Sequence, residues 1–151
     1  MNERIIESEE CLKEGSGYLA DRFPEFSCAI DIIGSLNLRR QPDGFSQLLS
    51  AIVSQQLSVA AANSIWSRLK SARLIGPRKI SSASDEQLAA AGLSRQKIRY
   101  ARALADSKIN YRKLRGMASD EVIAELTQVS GIGSWTAEIY TMFSLGRADV
   151  F

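Results

Sequence analysis

Residues 126–142 read LTQVSGIGSWTAEIYTM, and this stretch decides the fold. Two helical segments are joined by the turn Ser130-Gly131-Ile132-Gly133. Neither glycine has a Cβ, so the backbone can turn sharply and come close to another surface. Ile132, between the glycines, is expected to pack back between the helices. The stretch therefore predicts a helical hairpin whose second helix begins at Ser134.

The start of this second helix predicts an anion site made of backbone groups. The first N–H groups of a helix have no partner within it, and they lie at the positive end of the helix dipole. Beside a glycine turn they could hold a group the size of a phosphate. An ordinary turn between two antiparallel helices has the same local features, so the turn by itself leaves both interpretations open.

The rest of the chain also predicts helices. Only three prolines occur, and no stretch of four or more residues alternates as a half-buried strand would. Helices are predicted over about 3–23, 25–37, 44–54, 59–71, 85–91, 95–107, 120–128 and 134–145. Asp43, Ser58, Ser84, Ser94 and Ser119 are the expected starting residues of five of them. The predicted fold class is all-α.

Composition excludes several kinds of chemistry. The 151 residues include no histidine, which removes imidazole catalysis and histidine-ligated metals. Cys11 and Cys28 lack the spacing of a zinc site and are expected to be buried. The net charge of +2 permits nucleic-acid binding without arguing for it. No apolar run approaches the ~20 residues of a membrane span, so we expect no membrane partner and a cytoplasmic protein.

Three stretches, in the same order, resemble the helix–hairpin–helix superfamily of DNA glycosylases. The hairpin is similar to that family's LxxhPGIGxxTA pattern, with Ser130 in place of the usual proline. Residues 45–69, FSQLLSAIVSQQLSVAAANSIWSRL, are similar to its helix pair with a Gln-Gln step followed by Ser. Residues 88–105, LAAAGLSRQKIRYARALA, resemble its next segment. The branch that the chain resembles most is the alkylation-repair group, DNA-3-methyladenine glycosylase II.

This resemblance implies a multi-helix bundle that binds double-stranded DNA near the nucleoid and excises alkylated purines such as 3-methyladenine. The damaged base is flipped out of the duplex and its N-glycosidic bond is hydrolysed. The implied DNA contacts are Gly131, Ile132, Gly133, Ser134, Thr136, Gln55, Gln56 and Ser58, with Gln56 filling the hole that the base leaves. No cofactor is required, although the backbone carbonyls of Thr127, Val129 and Ile132 are implied to hold a structural monovalent cation.

The resemblance also assigns the chemistry. Relatives that cleave the DNA backbone carry a lysine where this chain has Trp135, which implies a monofunctional enzyme. Trp135 would border the base pocket, and plain core packing is the alternative. The family's catalytic aspartate is expected just after Phe151. Asp149 matches a structural position of the family's GxxDVFP-like stretch and is not expected to be catalytic. The 151-residue form is therefore expected to be inactive.

Two other functions and a domain division complete the expectations. The alternatives are a non-catalytic helix–hairpin–helix DNA-binding module, or a glycosylase for another damaged or mismatched base. Residues 1–43 are predicted to be N-terminal helices of a second domain, and residues 44–151 the domain that contains the hairpin at about 126–145. The N-terminal stretch has an apolar face formed by Ile5, Leu12, Leu19 and Phe23. Without a partner this face must pack on the middle domain, pair with another copy or become disordered, and self-association is the favoured prediction.

Overall fold

The structure is a computed structural model that describes residues 3–150. Within that range the chain forms ten α-helices and no strand, so the all-α prediction is confirmed. The helices are α1 (Glu9–Arg22), α2 (Pro24–Ile33), α3 (Phe45–Ser54), α4 (Val59–Ser71), α5 (Pro77–Ser82), α6 (Asp85–Ala90), α7 (Arg95–Asp106), α8 (Tyr111–Leu114), α9 (Ser119–Thr127) and α10 (Ser134–Phe143). None of them is long and apolar enough to cross a membrane.

The core lies among the helices that follow α2. Helix α3 packs against α4, α7 and α10, while α9 packs against α10 and α7 covers α5 and α6. The apolar face of α3, formed by Phe45, Leu48, Leu49, Ile52 and Val53, is buried, and so are leucines and isoleucines of most of the later helices. The largest side chains with essentially no exposure are Leu48, Leu49, Ile52, Leu69, Ile80, Leu88, Leu104, Leu114 and Leu126. This core fixes α3 and α10 side by side.

The N-terminal helix prediction needs correction. Helix α1 begins at Glu9, whereas the residues before it are extended and pair with the segment after α10. The Ile6 N–H donates to the Gly146 carbonyl at 2.7 Å, and the Ala148 N–H donates to the Arg4 carbonyl at 3.0 Å. Ile5 therefore lies in an isolated β-bridge rather than on the apolar face of a helix. The contact of residues 4–6 with residues 146–148 therefore overrides the local apolar pattern that predicted a helix.

Two predicted helix caps are also wrong. Asp43 does not cap α3, because its carboxylate pairs with the Arg115 guanidinium at 2.7 Å. Helix α9 starts at Ser119 itself, whose N–H donates to the Glu3 carboxylate at 2.9 Å. By contrast, Ser58, Ser84 and Ser94 cap α4, α6 and α7 through their hydroxyl groups, as the sequence predicts.

Helices α1 and α2 pack against each other and bury no residue. Apolar side chains remain exposed on both, and Cys28 is exposed too, contrary to the prediction that both cysteines are buried. Helix α2 ends at Ile33, four residues earlier than predicted, and Gly34 follows with a φ of 74°. The short helices α5 and α8 were not predicted. Pro77 occupies the first turn of α5, where a proline costs no hydrogen bond.

Candidate nucleic-acid interface

The hairpin turn, residues 128–133, connects α9 to α10 as predicted. Ile132 is 3% exposed and belongs to the apolar core, so its side chain holds the turn against the two helices. The Ile132 N–H donates to the Val129 carbonyl at 3.0 Å, which closes the turn. The side chain of Ile132 and its N–H group are therefore both used within the protein.

The two glycines of the turn have different roles. Gly131 has a φ of 95°, and a Cβ there would collide with the Tyr100 ring of α7. Gly133 has a φ of −86°, and a Cβ there would meet no atom within 4 Å. The fold therefore requires a glycine at 131 and not at 133. The absence of a side chain at Gly133 leaves room for something outside the protein.

The first N–H groups of α10 are free. Helix α10 has no side-chain cap, and its first hydrogen bond to a preceding residue is the one from Ala137 to the Gly133 carbonyl at 3.0 Å. Within residues 3–150, the N–H groups of Gly133, Ser134 and Trp135 donate to no acceptor. These three residues are all exposed. They form the uncapped, positive end of a ten-residue helix beside an open glycine, as the sequence predicts for an anion site.

The turn between α3 and α4, residues 55–58, lies next to the hairpin turn. The Gln55 carboxamide donates from Nε2 to the Gly131 carbonyl at 2.9 Å. Gln56 is exposed and has a φ of 56°, a left-handed conformation that residues other than glycine rarely adopt. Ser58 caps α4 by accepting from the Ala61 N–H at 3.3 Å. Of the three predicted DNA contacts in this turn, only the Gln56 side chain is not used within the protein.

Helix α7 supports both turns from behind. Its Lys97 ammonium donates to the Val53 carbonyl at 2.6 Å, and burial lowers the pKa of this lysine. One turn further along α7, Tyr100 packs against Gly131. Arg102 is also engaged internally, with the Ala83 carbonyl at 2.9 Å and the Asp85 carboxylate. Only part of the basic character of this helix is therefore available for a partner.

A cleft of about 410 Å³ opens between α3, α10 and the segment before α3. Its lining residues are Arg39, Gln41, Gln47, Leu48, Ala51, Thr136, Ile139, Tyr140, Phe143 and Ser144. The Tyr140 hydroxyl accepts from the Gly44 N–H at 2.8 Å, and burial raises the pKa of this phenol to about 12. The sequence did not single out this cleft, since it combines faces of two helices that lie about 90 residues apart in the chain.

Trp135 does not line this cleft. Its side chain is 70% exposed, which rules out plain core packing, and the next residue, Thr136, is buried and lines the cleft. Asp149 is exposed and does not line the cleft either. No carboxylate of residues 3–150 does so. The position expected for a catalytic aspartate, after Phe151, lies outside the described residues.

The three carbonyls implied to hold a cation differ in their hydrogen bonds. Among the described residues, the carbonyls of Thr127 and Ile132 accept no hydrogen bond, while the Val129 carbonyl accepts one from Ile132. A carbonyl oxygen has two lone pairs, so Val129 keeps one available. Neutral oxygen donors of this kind suit a hard monovalent cation.

A family model described as "HhH-GPD superfamily base excision DNA repair protein" matches residues 49–147. The chain belongs to this superfamily. It is 32% identical over 133 residues to DNA-3-methyladenine glycosylase 1 of Schizosaccharomyces pombe, a match that covers 80% of the chain and 58% of that relative. It is 35% identical over 124 residues to DNA-3-methyladenine glycosylase of Saccharomyces cerevisiae, covering 72% of the chain and 42% of that relative.

Solved structures of HhH-GPD relatives share the fold. A DNA-3-methyladenine glycosidase from Bacillus halodurans matches with a TM-score of 0.80 and 36% identity, over 100% of this chain and 70% of that one. The 3-methyladenine DNA glycosylase of Schizosaccharomyces pombe, solved in complex with abasic DNA, matches with a TM-score of 0.81 and 29% identity, over 91% and 73%. The chain thus spans about half the length of the two yeast glycosylases named above and about 70% of each of these two solved structures.

Proposed function

We propose that this chain is part of a monofunctional DNA glycosylase that removes alkylated purines, such as 3-methyladenine, from double-stranded DNA. The observation that carries the proposal is the uncapped start of α10 beside Gly133, where three exposed N–H groups and an open backbone meet. The names of the relatives support the reaction class. An enzyme of this kind acts on chromosomal DNA, so we expect it to be associated with the nucleoid.

The DNA backbone would be held by the hairpin. A phosphate oxygen placed opposite Gly133 and Ser134 accepts from N–H groups that have no partner within residues 3–150. The helix dipole adds attraction for the negative charge. The contact uses main-chain atoms only and fixes the position of the duplex without reading its sequence. A lesion anywhere in the genome could therefore be presented in the same register.

The damaged base would enter the cleft between α3 and α10. The cleft volume of about 410 Å³ suits a purine, and the cleft opens where the hairpin begins α10. Gln56, exposed on the neighbouring turn, would fill the gap in the duplex. The exposed indole of Trp135, next to the lining residue Thr136, would stack on an electron-poor base outside the cleft as that base enters. An alkylated base carries positive charge and leaves readily. The protein therefore has chiefly to extrude the base and stabilise the cationic sugar.

A monovalent cation at the hairpin fits the carbonyls that are present. Thr127 and Ile132 offer unused carbonyl oxygens, and such a cation would steady the turn and add positive charge beside the phosphate. No step of the proposed reaction depends on it.

The first test replaces Gly133 with aspartate. The fold has room for the side chain, whereas a bound phosphate would meet a negative charge. We expect Gly133→Asp to weaken duplex binding and to lower the salt dependence of binding by about one unit, the value for one lost phosphate contact. Gly76→Asp is the matched control, because Gly76 also has open space around it and a negative φ, and lies in the loop before α5. Wild-type affinity and salt dependence in Gly133→Asp would contradict phosphate binding by the hairpin.

The second test concerns the carboxylate. No described carboxylate lines the cleft, so we expect the 151-residue polypeptide to release no free base from methylated DNA. Chromatography of the released purines measures this. Base release that disappeared in Asp149→Asn would make Asp149 catalytic and overturn the assignment. Duplex binding without base release by any longer form of the protein would instead favour a non-catalytic DNA-binding module.

A further inference from the structure

Among residues 3–150, one side-chain hydrogen bond joins the two turns that face the proposed DNA surface. Gln55 follows the last residue of α3, and its Nε2 donates across 2.9 Å to the Gly131 carbonyl, 76 residues later in the chain. A carbonyl oxygen can only accept, so this contact fixes which end of the carboxamide points at the hairpin. Gln55 is half-buried, unlike its exposed neighbour Gln56.

Other contacts hold each turn to α7, but they do not join the two turns to each other. On one side, the Lys97 ammonium holds the Val53 carbonyl at 2.6 Å, at the end of α3. On the other side, Tyr100 packs against Gly131 in its left-handed conformation. Helix α7 carries both residues and so supports the end of α3 and the hairpin separately. Among the described residues, the hydrogen bond from the Gln55 carboxamide to the Gly131 carbonyl is the one that connects the two turns directly.

The consequence concerns the residues on either side of this bond. Gln55 directly precedes Gln56, which has a left-handed backbone and an exposed side chain. Gly131 lies two residues before Gly133, where the free N–H groups begin. We infer that Gln55 is a positioning residue that sets the spacing between the phosphate-binding hairpin and Gln56, the residue that fills the gap left by the flipped base. Gln55 acts from within the protein and does not touch DNA.

This inference rests on the proposed function, because the two turns need a fixed spacing only if one duplex engages both. Undamaged duplex needs the hairpin alone, since its bases remain stacked. A duplex with an abasic site offers the gap as well, so both turns contribute to its binding. The preference for abasic over undamaged duplex should therefore depend on Gln55, while the affinity for undamaged duplex should depend on it little.

The experiment compares Gln55→Met with the wild-type protein. Methionine keeps the length of the side chain and removes the donor. We expect the ratio of the two dissociation constants, undamaged over abasic duplex, to fall roughly three- to tenfold, as the loss of one ordinary hydrogen bond would give. In the protein without DNA, amide exchange at Ile132, whose N–H donates to the Val129 carbonyl and closes the hairpin turn, should become faster, while exchange in the core of α3 and α9 should not. Gln87→Met is the control, because Gln87 is exposed, lies outside both turns, and its carboxamide accepts only from the Ser84 N–H at the start of α6.

Each outcome decides a separate question. A fall in the ratio with faster exchange at the hairpin supports the inference. A fall in the ratio with unchanged exchange in the free protein overturns it, because Gln55 would then contact DNA directly. Equal losses on both duplexes, or no loss on either, also overturn it. If the wild-type protein binds neither duplex, the proposed function fails first. Faster exchange at Ile132 would then still establish the link between the turns.

Discussion

The two helix pairs at opposite ends of this chain, α9–α10 and α1–α2, are both sequence neighbours that pack against each other across short connections, yet they are stabilised differently. In α9–α10 the residues facing the rest of the molecule, such as Leu126, Ala137 and Tyr140, are buried. In α1–α2 no residue is buried, and Ile32 and Ile33 remain 79% and 62% exposed. A helical hairpin is therefore not a unit of stability by itself.

The difference shows where this molecule fixes geometry. The turn that precedes the free N–H groups of α10 is held in place by the buried Ile132 and by Tyr100, which packs against Gly131. The N-terminal pair has no comparable anchor among the described residues. The segment before it, residues 3–6, provides the attachment instead, through main-chain bonds to Gly146 and Ala148. The proposed DNA-binding turn thus lies on the densely packed part of the chain, as a site that must hold a phosphate requires.

The largest effect is expected when one aliphatic side chain in each helix pair is truncated to alanine, which tests the difference in stabilisation between the two pairs. Leu126→Ala removes a fully buried side chain from the core and should lower the free energy of unfolding by about 2–5 kcal/mol. Ile32→Ala removes a largely exposed one and should change it by less than about 0.5 kcal/mol. Urea unfolding monitored by circular dichroism measures both. A loss of similar size in Ile32→Ala would mean that α2 is packed more tightly than the structure shows.

Local patterns predicted most of the helices, because each had a cap or an apolar face in its own sequence. The face of α3 and the caps Ser58, Ser84 and Ser94 are of this kind. The errors arose where a distant residue intervened. Arg115 takes the Asp43 carboxylate from a distance of 72 residues, and the bridge to Arg147 keeps Ile5 out of α1. No local signal reports such a contact.

The same rule applies to the candidate site. The hairpin was predictable, since its glycines and its helix start are contiguous in sequence. The cleft was not, because α3 and α10 each contribute one wall. The direction of Gln55 was not predictable either: the Gln-Gln step suggested two residues facing DNA, and the structure turns the first of them toward Gly131. The Gly131 carbonyl that accepts from it lies in the other predicted turn, so only the folded backbone reveals the pairing.

A smaller effect is expected from the attachment of residues 3–6. The Glu3 carboxylate accepts from the Ser119 hydroxyl and N–H groups and lies 3.2 Å from the buried Arg147 guanidinium. The Ser119 hydrogen bonds hold the pKa of Glu3 below its ordinary value of 4.5. A lowered pKa in the folded state stabilises the fold above the unfolded pKa. That contribution is lost as the pH falls below about 4.5 and through the folded pKa.

Glu3→Gln should therefore cost about 1 kcal/mol at pH 7, the scale of a hydrogen bond to a charged group that is partly exposed. It should also flatten the decline in stability on acidification. Urea midpoints measured from pH 6 to pH 3 test this, with Glu7→Gln as the control because the Glu7 side chain is exposed and accepts no hydrogen bond from residues 3–150. An acid decline in Glu3→Gln as steep as that of the wild-type protein would show that other carboxylates cause it.

Removing the exposed apolar side chains of the N-terminal pair, α1–α2, is expected to change the stability of a single chain least. It is also the most direct test of what this pair does. Phe26 and Ile32 on α2 leave apolar area in water, at roughly 25 cal/mol for each Å². We propose that two copies cover this area by pairing about a two-fold axis. Sedimentation should then show a reversible dimer for the wild-type chain and a monomer for Phe26→Ser/Ile32→Ser, with thermal unfolding nearly unchanged. Val59→Ser is the control, because Val59 is 77% exposed but lies on α4, away from the N-terminal pair.

A wild-type chain that stays monomeric, with α1 and α2 fully protected from hydrogen exchange, would mean that these helices pack within one chain. The N-terminal pair would then belong to the same rigid unit as the hairpin.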